Sequence, residues 1–62
     1  MDIQAEKVTI ETFVDKGNYH AAMNIAISAL NECRRSSDQA GIDEFLSVIR
    51  GIADTMTGEF GS

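Results

Sequence analysis

Proline and tryptophan are absent from this 62-residue chain, cysteine and histidine occur once each, and only five residues are Lys or Arg. Each shortage closes off a class. A single cysteine, Cys33, forms no disulfide within the chain, and with His20 as the only histidine no all-Cys/His zinc cage is available. Five basic residues cannot build a broad phosphate-binding surface, and the formal net charge is -5. Apolar runs stop at three residues, as in Ala21-Ala22-Met23, so neither a membrane-spanning segment nor the apolar stretch of a signal peptide is present. The expectation is a cytoplasmic protein with no metal, no cofactor, no membrane contact and no nucleic-acid partner. Residues 59–62 read as a C-terminal tail, native or left by cloning, outside the fold.

The 44% hydrophobic content and the missing proline favour a folded helical chain over a disordered one. A chain this short buries only about 60% of the surface its unfolded form exposes, and small scaffolds commonly add oligomerisation or a partner. One domain of two or three helices is the most it can hold.

Three segments emerge. Over residues 2–16, the β-branched run Val8-Thr9-Ile10-Glu11-Thr12-Phe13-Val14 carries a strand signal. At 100° per residue, however, Ile3, Ile10, Phe13 and Val14 fall within about 100° of one another, and nothing later in the chain offers a strand to pair with. A helix ending at Lys16 with Gly17 as its stop is the consistent reading. Asn18 is the N-cap of a second helix over 19–35, and Arg34 and Arg35 suit the negative end of its dipole. Its apolar residues cover more than half its circumference, which calls for contact on two sides. Ala22, Ala26 and Ala29 run along one edge, where short side chains admit a close neighbour.

Residues 36–41 read as a turn with Ser37 or Asp38 as cap, opening a third helix over 38–57 that ends at Thr57 and Gly58. Its stripe of Ile42, Phe45, Leu46, Ile49, Ile52, Ala53 and Met56 follows the three-four spacing of an amphipathic helix. Asp43 and Glu44 are expected in its first turn, and Gly51 is expected to mark a close backbone approach. The fold expectation is an all-α, three-helix protein with an antiparallel hairpin of the second and third helices, associating as a homodimer.

The stretch 13–52 resembles a tetratricopeptide-repeat helical hairpin. Gly17, Asn18 and Tyr19 match that family's turn between helices, Ala22, Ala29 and Leu30 its small and apolar positions, and Phe13 its first-helix aromatic. Glu6, Thr9 and Ile10 stand where the family carries tryptophan, leucine and glycine, Ala26 where a large aromatic is usual, and Arg34 where proline is. The resemblance implies local hairpin geometry without the family's peptide-binding site, since about one and a half repeats fit where stable arrays need about three.

No catalytic residue is expected. On one helix, His20 and Cys33 lie about 20 Å apart in rise and about 140° apart in rotation, which leaves Cys33 as a small packed hydrophobe and His20 on the solvated edge. The neighbouring acids Asp43 and Glu44 point apart on a helix and do not form an acid-base pair. The expected function is a non-enzymatic protein-protein interaction module, a small regulator or adaptor of the kind common among bacterial and phage accessory genes. Its interface residues are Tyr19, Met23, Ile27, Leu30, Phe45, Ile49, Ile52 and Met56, and its partner is first of all its own copy. A chaperone-like subunit covering a partner helix is the alternative, and an acidic decoy of a nucleic-acid-binding protein the second.

Overall fold

An Asx side chain starts every helix in the same way. Asp2 accepts a hydrogen bond from the Ala5 N–H (3.2 Å), Asn18 from the Ala21 N–H (3.3 Å) and Asp38 from the Gly41 N–H (3.1 Å). Each satisfies a backbone donor of the first turn that has no partner within the helix. In the computed structural model, which describes residues 1–60 with side chains through residue 58, these caps open α1 (Ile3–Asp15), α2 (Tyr19–Arg35) and α3 (Gln39–Phe60).

The β-branched residues of the first segment are helical. The hydroxyls of Thr9 and Thr12 donate back to the carbonyls of Ala5 and Val8 (3.1 and 2.9 Å), so each polar side chain is satisfied within the helix. Val8 and Ala5 lie on the solvent side, while Ile10 is buried with Ile3, Phe13 and Val14 packed beside it. Helical periodicity prevails over local strand preference because an isolated strand would have left its backbone groups unpaired.

Both turns share one design. The Asn18 N–H donates to the Phe13 carbonyl (2.8 Å) and the Gly17 N–H to that of Val14 (2.9 Å). Twenty residues on, Asp38 donates to Cys33 (2.9 Å) and Ser37 to Arg34 (3.2 Å). These are the paired bonds of a Schellman stop, with Gly17 (φ 78°) and Ser37 (φ 56°) in the left-handed region. Asn18 and Asp38 therefore each close one helix with the backbone and open the next with the side chain. Ser37 is thus the stop residue of α2, and Asp38 is the cap of α3.

With three residues between consecutive helices, α2 packs along both α1 and α3, which touch each other only sparsely. The core gathers Ile10 from α1, Ala22, Ala26, Ala29, Leu30 and Cys33 from α2, and Phe45 and Ile52 from α3. The broad apolar arc of α2 is accordingly covered by two helices of its own chain. A lateral tie adds to this: Lys7 donates to Glu44 at 3.1 Å between α1 and α3. At this half-exposed depth such a pair contributes about 0.2–1 kcal/mol.

Three expectations about α3 need correction. It does not stop at Thr57 and Gly58 but continues to Phe60, because a glycine that keeps helical geometry costs about 1 kcal/mol without ending the helix, and no left-handed residue follows it among the described residues. The expected tail at 59–62 therefore begins inside the helix, and its residues 61 and 62 lie outside the described residues. Asp43 and Glu44 fall beyond the first turn; Asp43 accepts from Gln39 (3.0 Å) and Glu44 pairs with Lys7. Gly51 faces open space within 4 Å, and the close approach is at Gly41 instead.

The left-handed Ser37 generates a stability prediction. Ser37→Gly relieves an αL conformation that L side chains resist and raises stability by about 1 kcal/mol, whereas Gly17→Ala lowers it by about 1–2 kcal/mol. Thermal melts of the two variants, read by circular dichroism, should shift in opposite directions.

Candidate interaction surface

The eight residues expected at the interface divide into three groups. Leu30 (8% exposed), Phe45 (0%) and Ile52 (4%) belong to the chain's own core and present no surface. Tyr19, Met23, Ile49 and Met56 are half-buried against that core. Ile27 alone among the eight lies open, at 43%. The three-four spacing identifies which residues share a stripe, but most of each stripe is consumed by packing within the chain and only its shoulder reaches solvent.

Leu46, at 48% exposure, is the residue that the expected set omits. It follows Phe45 as Ile27 follows Ala26, and a step of about 100° turns each away from a fully buried neighbour. A signal for it was present: Leu46 and Ala53 sit at one margin of the α3 stripe. By the same rotation, Met23, Ile27 and Arg34 lie on α2 on the flank turned away from α1, and Ile42, Leu46 and Ala53 lie on the corresponding flank of α3. Together they make an apolar shoulder along the α2–α3 seam. Val8 (60% exposed) is isolated on the far side of α1, which needs no explanation beyond a single surface hydrophobe.

Two grooves flank α1. Between α1 and α3 lies a groove of about 280 Å³ with Ile10, Val14, Val48 and Ile52 as apolar walls, Gly51 along one side and Lys7 at its rim. The other, about 570 Å³ and more open, runs between the start of α1 and the middle of α2, and Asp2, Glu6 and Glu32 make it acidic. On α1 and its caps the acids Asp2, Glu6, Glu11 and Asp15 outnumber Lys7 and Lys16, while on the outer flank of α2 and α3 Arg34 and Arg50 offset Asp43 and Asp54.

Cys33 is buried and His20 exposed. Burial pushes the Cys33 thiol above its ordinary value, and the nearby Asp38 and Glu32 carboxylates push it the same way. The thiol is therefore protonated at neutral pH and carries no thiolate nucleophile. Among the described residues no group of three or more His, Cys, Asp and Glu is placed to hold a metal ion. Nor is any described helix long and apolar enough to cross a membrane.

Cys33 packs its sulfur against Gly41, where α3 comes up to α2. A Cβ at Gly41 would stand 2.5 Å from the Cys33 Sγ and 2.9 Å from Asp38 Oδ2. The carboxylate is not the obstacle, since Ala5 and Ala21 carry a methyl at the equivalent position against their own caps. The sulfur is. Gly41→Ala alone is expected to destabilise by about 1–3 kcal/mol through overpacking, against a gain of about 1 kcal/mol in helix propensity. In a Cys33→Ala background the same substitution becomes stabilising, a change of sign that a double-mutant cycle of chemical denaturations will detect.

Comparison with protein-family models, with curated proteins and with solved structures finds no match to the chain.

Proposed function

We propose that this chain is a non-enzymatic, cytoplasmic protein-protein interaction module, in which α2 and α3 form an antiparallel hairpin that presents its outer shoulder to a helical partner. The observation that carries the reading is the pair Ile27 and Leu46, two large aliphatic side chains left about half exposed on one flank of a chain whose core is otherwise closed. Interface cores favour this kind of apolar, charge-poor centre with polar residues around it. The likeness to a tetratricopeptide-repeat hairpin belongs with this proposal and extends to the turn geometry alone.

The test compares affinity capture from the native host by the wild-type chain, Leu46→Glu and Val8→Glu. Val8 is the more exposed of the two and lies on α1, so it controls for added charge. A partner retained by wild type and Val8→Glu but lost by Leu46→Glu supports the shoulder as the docking face. Identical capture by all three overturns it.

A second reading, the chaperone-like subunit, is favoured by the groove between α1 and α3, where Gly51 meets nothing within 4 Å and leaves room for an incoming side chain. Gly51→Leu occupies that room and also gains about 1 kcal/mol of helix propensity. On this reading the variant melts higher yet no longer protects an apolar partner helix from aggregation. A variant that melts higher and still protects removes the groove from consideration.

A further inference from the structure

The inference rests on the docking-face reading and names the occupant. We infer that a second copy of this chain covers the α2–α3 shoulder, related by a two-fold axis parallel to the helices, so that α2 of each copy lies on α3 of the other and Arg34 meets the partner's Asp43.

Charge is the first argument. Two chains of net charge -5 repel one another over most of their surfaces. The shoulder is the exception, because Arg34 and Arg50 balance Asp43 and Asp54 there while the acids of α1 lie on the opposite flank. A neutral, apolar strip suits a copy of itself better than a strongly charged partner.

Register is the second. Among the described residues the Arg34 guanidinium makes no hydrogen bond or ion pair, although that of its neighbour Arg35 donates to Glu32 at 2.7 Å. In rotation Arg34 falls between Met23 and Ile27, within the exposed strip. Asp43 uses Oδ1 to accept from Gln39 and keeps its second oxygen available. Both residues lie near the Ser36–Asp38 turn, one shortly before it and one shortly after. A two-fold axis along the helices preserves height, so the Arg34 of each copy reaches the partner's Asp43 at the turn end, while the Ile27 and Leu46 patches meet further along the helices, away from the turn. Such self-complementarity is what an isologous interface requires.

Size is the third. The molecule measures 37 by 18 Å across its two longest dimensions. A face of those dimensions is comparable with one side of a standard interface, about 800 Å² per partner, and that is a modest share of the 4132 Å² the monomer exposes.

Sedimentation equilibrium of the full chain from about 1 μM to about 1 mM tests the proposal. Mass should double with concentration, and Leu46→Glu should raise the dissociation constant at least about tenfold with no change in helical content. Arg34→Glu and Asp43→Arg should each weaken the dimer about threefold or more, and the two together should restore it to within about threefold of wild type. Arg35→Glu serves as a control for the helix dipole and should weaken the dimer less than Arg34→Glu. A strict monomer throughout the range overturns the inference, as does a dimer indifferent to Leu46→Glu or a charge exchange weaker than either single reversal. A monomer that still loses a different partner on Leu46→Glu overturns the second copy and leaves the docking face standing; indifference to Leu46→Glu in both assays overturns both.

Discussion

The packing of α2 governs this molecule. Its buried side chains are Ala22, Ala26, Ala29, Leu30 and Cys33, of which only Leu30 is large. Small side chains bring both neighbouring helices close, so that Ile10 from one side and Phe45 and Ile52 from the other supply the bulk of a shared core. At Cys33 the sulfur takes up the volume that a methyl at position 41 would need. A helix with larger side chains along that edge would have held α1 and α3 apart and left their apolar faces wet.

Turn chemistry fixes the path of the chain as firmly as packing does. Because Asn18 and Asp38 each serve two helices, the connections contain almost no free backbone, and consecutive helices have little choice but to lie side by side. The left-handed position is filled by glycine in the first turn and by serine in the second. The hydrogen-bond pattern is the same in both, which indicates that the pattern tolerates the less favourable residue at position 37.

Much of this was legible in the residues. Asn18 as cap, Gly17 as stop, the span of α2 and the small-residue edge at Ala22, Ala26 and Ala29 all follow from local rules with a short physical reach. The errors came from quantities that depend on three-dimensional depth. Gly51 and Gly41 look alike in sequence, yet only Gly41 lies against another helix, and its position is set by Cys33 eight residues earlier. Phe45 and Ile52 lie at one margin of a stripe whose middle holds Ile49 and Met56, yet it is the former pair that is buried; periodicity cannot tell on which side of the stripe the neighbouring helices sit. The width of the α2 arc was similarly ambiguous, because a second intrachain helix satisfies it as well as a second molecule does. The surface that remains is narrower than periodicity alone indicates, and it is centred on Ile27 and Leu46.

The double duty of Asn18 and Asp38 also limits how such a chain can change length. Adding or deleting one residue in either turn would separate the closing bond from the opening one, leave a helix end uncapped and rotate everything beyond it by about 100°. Variants that differ in length are therefore expected to differ outside the two junctions, and an epitope, label or fusion inserted for laboratory use is best placed ahead of Asp2 or beyond α3.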